Sequence, residues 1–144
     1  GHQLLVRALA GREFVRASPT PELGWVELAR TDARPDPILD ALPWPLACFA
    51  SHFDEVGPLP PGWERLASSA RCENALIRLA GRPVWGLQHH PEILPDEGAA
   101  LLRGLAGRLP DRRDVLLGAL AGGVRDSRVA GAIAAAFLAV PRMR

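Results

Sequence analysis

The distribution of apolar and polar residues changes character near residue 93, and this change divides the chain into two parts. Before that point, short runs rich in apolar and aromatic residues, in places alternating with polar ones, predict strands. These runs cover residues 12–17, 22–30, 44–51, 65–68, 75–79 and 84–89. After it, apolar residues recur every three to four positions, which is typical of helices. The predicted helices cover residues 97–109, 112–120 and 126–138, and one earlier helix covers 2–10.

Turn-forming residues mark the breaks between these elements. Residues 18–21 read Ser-Pro-Thr-Pro and predict a turn between the first two strands. Asp36 precedes Pro37, a pair that favours the start of one or two helical turns. Residues 57–62 include three prolines and predict a loop. The order of a helix, several strands and then helices fits an α/β domain whose first strands are missing.

Composition narrows the classes of protein to consider. The chain has 144 residues, 48% of them hydrophobic and 23% charged, which is ordinary for a globular domain and excludes a disordered or fibrous protein. A formal net charge of +1 gives no general attraction for nucleic acid or an anionic membrane. The longest apolar run, 131–140, is shorter than the roughly 18 residues of a membrane helix. We expect a cytoplasmic protein that binds neither nucleic acid nor membrane.

The two cysteines, Cys48 and Cys72, do not form a pair with metal-binding or redox spacing. Neither has a C-x-x-C neighbour, so a zinc motif or thioredoxin motif of that kind is excluded. We expect both side chains to be buried as small hydrophobic groups. We therefore expect no metal at these two cysteines.

The segment Gly86-Leu87-Gln88-His89-His90-Pro91-Glu92 contains the strongest candidate for chemistry. Residues two apart on an extended chain point to the same side, so Glu92 can reach the ring of His90 and orient it. Taken alone, the two residues could equally be ordinary polar groups at a strand end. A metal site of His89, His90 and Glu92 is disfavoured, because adjacent strand residues point to opposite faces.

This segment, read together with Gly1-His2-Gln3, resembles the two motifs of class I glutamine amidotransferases. Four further stretches resemble members of the GMP-synthase type, in matching order. They are Ser51-His52-Phe53-Asp54-Glu55-Val56, Leu59-Pro60-Pro61-Gly62, Leu66-Ala67-Ser68-Ser69 and Cys72-Glu73-Asn74-Ala75. The resemblance runs from Gly1 to about Ile93. Position 89 departs from it, since the family usually has Phe or Tyr where this chain has His.

The resemblance implies an α/β fold, the flavodoxin-like three-layer class I glutamine amidotransferase fold, with its N-terminal strands missing from this chain. It implies that His90 is the general base and acid and that Glu92 orients it. Gln3, Ser51 and His52 would help to hold glutamine. The nucleophilic cysteine would lie two residues before Gly1, so residues 1–144 are expected to be an inactive, partial domain, with the motifs in 1–93 and helices in 94–144.

The implied reaction is the hydrolysis of glutamine to glutamate, with ammonia passed to an acceptor. The resemblance implies no cofactor for this step. A synthase domain or subunit would be the partner if the acceptor must be activated. Two alternatives stay open at this point. One is a γ-glutamyl peptidase built on the same triad, and the other is a catalytically dead domain that binds a partner. His52 and Asp54 could form a second acid–base pair, although a structural role is the simpler interpretation.

Overall fold

The computed structural model describes residues 1–31 and 34–141, which fold into one antiparallel sheet covered by helices. In chain order the helices and strands are α1 (His2–Leu9), β1 (Val15–Arg30), β2 (Leu46–Val56), β3 (Trp63–Ser68), β4 (Leu76–Leu79), β5 (Trp85–Leu87), α2 (Pro95–Arg108), α3 (Arg113–Ala121) and α4 (Ala130–Ala139). Short 3₁₀ turns lie at Arg12–Phe14, Leu39–Ala41 and Pro110–Arg112. In the described part of the chain, no helix is both long enough and apolar enough to cross a membrane.

The sheet has the strand order β2-β1-β3-β4-β5, and every neighbouring pair is antiparallel. β1 and β2 form the longest pairing, which continues from Val15 opposite Val56 to Leu28 opposite Leu46. β1 meets β3 only at its last two residues, Ala29 and Arg30. The β1–β2 ribbon therefore extends beyond the rest of the sheet, and its far end lies beside α1.

The predicted turn at residues 18–21 is wrong, because β1 runs through it as one strand of 16 residues. The β1–β2 register shifts between Ala17 and Glu22, so the prolines produce a bulge rather than a reversal of the chain. The hydroxyl of Ser18 donates to Glu55 Oε2 on β2 over 2.8 Å and accepts the backbone N–H of Thr20. These contacts hold the bulge against β2.

Helices cover both faces of the sheet, because successive residues of a strand point to opposite sides. On β2, Cys48 packs in a core with Leu28 and Leu76, against which Ile133 of α4 lies. The next residue, Phe49, packs in a separate core formed with α2 and α3. The predicted α/β class is therefore present, with a helical layer on each side of the sheet.

The remaining boundaries follow the predictions within a few residues, with two larger differences. β2 continues to Val56, five residues beyond the predicted end, because its pairing with β1 resumes after the bulge. The last helix begins at Ala130 and not at residue 126. The predicted role of Asp36 is seen directly, since its carboxylate accepts the N–H groups of Ile38 and Leu39 at 3.0 Å.

Candidate functional site

His90 and Glu92 form a hydrogen-bonded pair on the surface, as their spacing predicts. Nδ1 of His90 lies 2.7 Å from Oε1 of Glu92. The two side chains are 40% and 63% exposed, so water reaches both of them. Because Nδ1 is engaged with the carboxylate, Nε2 is the nitrogen left for exchanging a proton with another group.

The backbone of His90 is attached to the sheet through β2 and not through β5. Its N–H donates to the carbonyl oxygen of Phe49 over 2.7 Å, which forms an isolated antiparallel bridge beyond the end of β5. Pro91 follows directly, and its ring restricts the backbone between the two functional side chains. The pair is therefore positioned by a buried residue of the β1–β2 ribbon, since Phe49 is only 1% exposed.

Gln3 connects α1 to the same region. Its side-chain amide donates to the carbonyl oxygen of Asp54 over 2.7 Å and to Oε1 of Gln88 over 2.9 Å. Gln88 is itself buried, and its backbone N–H donates to Ala75 on the neighbouring chain segment. One glutamine side chain thus joins the first helix, the end of β2 and the segment leading to His90.

Four of the five predicted site residues border one open depression of about 460 Å³. These are Gln3, Ser51, His52 and His90, and the fifth, Glu92, is bonded to His90. Gly1 and Gln88 also border it, as does the cationic side chain of Arg7, which sequence analysis did not single out. Another depression of about 480 Å³, between β1 and α3, is bordered by none of the predicted site residues.

The side chain of His52 is directed into the protein, and its partner there is a residue that the sequence analysis missed. Nε2 of His52 lies 3.2 Å from Oε2 of Glu22, and both residues are buried. They are opposite one another in the β1–β2 register. Nδ1 of His52 lies 3.1 Å from the carbonyl oxygen of Asp54, so a structural role for this histidine fits better than an acid–base role with the Asp54 carboxylate.

Glu22 is a charged group held inside the fold by several polar neighbours. Burial alone would raise the pKa of this carboxyl, but contacts with His52, His89 and Ser69 outweigh that effect and lower it to about 2. Glu22 is therefore a carboxylate at neutral pH. No local sequence signal identifies it, because its partners lie on other strands.

The two cysteines are buried, as predicted, and neither forms a disulfide. Burial raises the pKa of Cys48 and of Cys72 to about 12. A nucleophilic cysteine needs the opposite shift, towards the thiolate. Neither thiol is therefore suited to attack a substrate at neutral pH.

Comparison with known proteins identifies the family. The model of the glutamine amidotransferase class-I family matches residues 1–104. The chain belongs to this family. Among curated relatives of this amidotransferase, one subunit of the glutamine-hydrolysing GMP synthase of Thermococcus kodakarensis is 36% identical over 107 residues, which are 74% of this chain and 55% of the relative. The corresponding subunit from Archaeoglobus fulgidus is 34% identical over 93 residues, which are 65% of this chain and 49% of the relative. These relatives identify the chain as an amidotransferase domain of the GMP-synthase type.

Solved structures agree with the family and with the predicted class I amidotransferase fold. A protein from Thermoplasma acidophilum that is assigned as a GMP synthase subunit superposes with a TM-score of 0.56 at 26% identity and covers 80% of this chain and 56% of its own. A glutamine amidotransferase from Thermotoga maritima, at 19% identity, has a TM-score of 0.54 over 83% of this chain and 54% of its own. This amidotransferase chain spans about half the length of the curated relatives that it matches.

Proposed function

We propose that this chain supplies the histidine and carboxylate of a glutaminase site, within an amidotransferase that releases ammonia from glutamine. The hydrogen bond of 2.7 Å between His90 and Glu92, at the edge of the depression that Gln3 also borders, carries the proposal. In this reaction a thiolate attacks the side-chain amide of glutamine and forms a thioester, which water then hydrolyses to glutamate.

His90 takes the proton of the nucleophile through Nε2 and returns it to the departing ammonia. Glu92 accepts the Nδ1–H of the ring and so fixes its tautomer and its orientation. Its carboxylate also stabilises the imidazolium that forms during each proton transfer. Because both groups are accessible to water, the proton can leave the site once the thioester has been hydrolysed.

The proposed glutamine site combines the amide of Gln3 with the backbone of Ser51 and His52. Gln3 is held by Asp54 and Gln88, so its position is fixed before a ligand arrives. The buried bond of His52 with Glu22 likewise fixes the β2 backbone at this point. The site as proposed needs no cofactor for the glutaminase step.

The proposal requires a nucleophile that Cys48 and Cys72 do not provide. In the family motif that Gly1-His2-Gln3 resembles, the cysteine stands two positions before Gly1. The first observation to make is therefore the identity of the residue at that position in the natural protein. Cysteine there supports a working amidotransferase, and any other residue overturns the hydrolytic function and leaves a domain that binds a partner.

The activity is tested by ammonia and glutamate release from glutamine, using protein that carries this cysteine. Glu92→Gln and His90→Ala should each lower kcat by about 10²–10⁴-fold, the usual contribution of general acid–base catalysis. Glu73→Gln is the matched control. Glu73 is 70% exposed, forms an ion pair of 2.7 Å with Arg65, and does not border the depression. Equal rates for the Glu92 and Glu73 variants would exclude the proposed role of Glu92.

Two further measurements address the substrate and the partner. Cleavage of γ-glutamyl peptides in preference to free glutamine would indicate a peptidase in place of an amidotransferase. Because the relatives are named as one subunit of a GMP synthase, we propose that ammonia is accepted by a separate synthase subunit or domain. Incorporation of the amide nitrogen of glutamine into GMP only when that partner is present would support this assignment.

A further inference from the structure

A cluster of four buried side chains lies behind the proposed glutamine site. Glu22 belongs to β1, His52 to β2, Cys72 to the connection between β3 and β4, and His89 to the segment after β5. They are 2%, 5%, 1% and 2% exposed. Sequence spacing could not reveal the cluster, because no two of its members lie within 16 positions of each other.

The donor atoms of this cluster are spaced almost as the ligands of a metal ion are. Glu22, His52 and Cys72 offer one atom each within 4.8 Å of one another. Nε2 of His89 lies 3.2 Å from Oε2 of Glu22, at the same distance as Nε2 of His52. Tetrahedral zinc, with bonds of about 2.0–2.3 Å, places neighbouring ligand atoms about 3.3–3.8 Å apart. Glu22, His52 and Cys72 would reach that spacing after a small inward movement, and His89 lies beside them through its contact with Glu22.

Both ring nitrogens of His52 face oxygen atoms that accept hydrogen bonds. Nδ1 faces the carbonyl oxygen of Asp54, which can only accept, so Nδ1 carries a hydrogen. Nε2 faces the Glu22 carboxylate, which also only accepts at neutral pH. A neutral imidazole has only one N–H to offer two acceptors, and a metal ion on Nε2 would satisfy the second contact.

His89 gives a second, independent indication of a ligand. Its side chain is fully buried, and neither ring nitrogen makes a hydrogen bond of ordinary geometry. A buried polar group left without a partner is costly and rare. A ligand at Nε2 would give this ring the partner that it lacks.

We propose that Glu22, His52, Cys72 and His89 bind one zinc ion. Two imidazoles, a carboxylate and the Cys72 sulfur, whose proton zinc would displace on binding, suit this metal. Four protein ligands leave no open position, as in structural zinc sites. The bond of His52 Nδ1 to a backbone carbonyl is the kind of outer contact that orients a metal-bound histidine. The ion would join β1, β2 and the segment that ends at His90.

Metal analysis and cobalt titration of the chain test the proposal without any measurement of activity. Protein equilibrated with zinc and then desalted should retain one zinc ion per chain. Cobalt should give the charge-transfer absorption of a cobalt–thiolate bond. Cys72→Ser should abolish that absorption and weaken zinc binding by at least about 100-fold, since even outer contacts contribute 10–100-fold.

Cys48→Ser is the matched control, because Cys48 is equally buried, with 1% exposure, and is also unpaired. This variant should bind zinc and cobalt as the unchanged chain does. If Cys72→Ser fails to fold, His89→Phe is the alternative variant. It keeps an aromatic ring in place and should weaken zinc binding. The proposal would be overturned if the chain retained no zinc, or if folded His89→Phe bound zinc as tightly as the unchanged chain. The cluster would then be held together by hydrogen bonds without a metal.

Discussion

Replacing Gly98 with alanine would test how closely α2 packs on the sheet beneath the candidate site. A Cβ atom at this position would lie 2.7 and 2.8 Å from two ring carbons of Phe49 and 3.1 Å from Cζ2 of Trp25. These distances are well inside van der Waals contact. The two rings pack edge to face with centroids 5.4 Å apart, and Phe49 is 1% exposed, so the Phe49 ring cannot move aside freely.

The expected loss of stability follows from two opposing effects. Forcing an extra methyl group into a packed core costs about 1–3 kcal/mol. Alanine in place of glycine favours a helix by up to about 1 kcal/mol. Gly104 is the matched control on the same helix, because its added Cβ would meet only the end of the Arg108 side chain, at 3.7 Å. Gly98→Ala should therefore be about 1–3 kcal/mol less stable than Gly104→Ala, since the helix preference cancels.

Urea unfolding, followed by circular dichroism and by tryptophan fluorescence, measures this difference. The slopes should be unchanged and the midpoints should separate. Gly98→Ala should also disturb the site, because the carbonyl oxygen of Phe49 holds the backbone of His90. Equal free energies of unfolding for the two alanine variants would show that α2 does not rest on Phe49 as described.

Three other outcomes follow from the structure. Glu92→Gln and Glu73→Gln should each change the free energy of unfolding by less than about 1 kcal/mol, because both ion pairs are exposed; urea titration would reveal a larger role in folding. Burial lowers the pKa of His2 from 6.5 to about 4, so between these pH values His2 is protonated in the unfolded chain and neutral in the folded chain. The effect of His2 is therefore to lower the free energy of unfolding as the pH drops from 6.5 towards 4, with no loss above pH 6.5. His2→Gln should flatten this decline, and an unchanged pH dependence of the melting temperature would contradict the prediction. Asn74→Ala should cost at least about 1–3 kcal/mol in urea unfolding, because the buried amide donates to the carbonyl oxygens of Val56 and Gly57, and a smaller loss would indicate that water replaces it.

Sequence patterns predicted the site best where its geometry is local. The pairing of His90 with Glu92 needs only the alternation of an extended chain, and it is present at 2.7 Å. The spacing of apolar residues likewise predicted the helices α1 and α2. The assignment of roles to His90, Glu92, Gln3 and Ser51 came from the family resemblance, and those roles remain predictions.

The features that the sequence could not predict depend on pairing between strands that lie far apart along the chain. Residues 18–21 have the composition of a turn, but pairing with β2 on both sides keeps them extended. Glu22 lies next to His52 because of the β1–β2 register, and next to His89 because that segment follows β5. No local pattern carries this information, so a buried carboxylate with two histidine neighbours was invisible in the sequence.

The two bonds of Gln3 also determine when the site can exist during protein synthesis. Its partners Asp54 and Gln88 lie 51 and 85 residues further along the chain. At roughly 5–20 residues per second, a ribosome needs about 4–17 s to add the last of them after Gln3 itself. The depression that Gln3 borders, and with it the proposed glutamine site, can therefore form only after β5 and the residues that follow it have been synthesised.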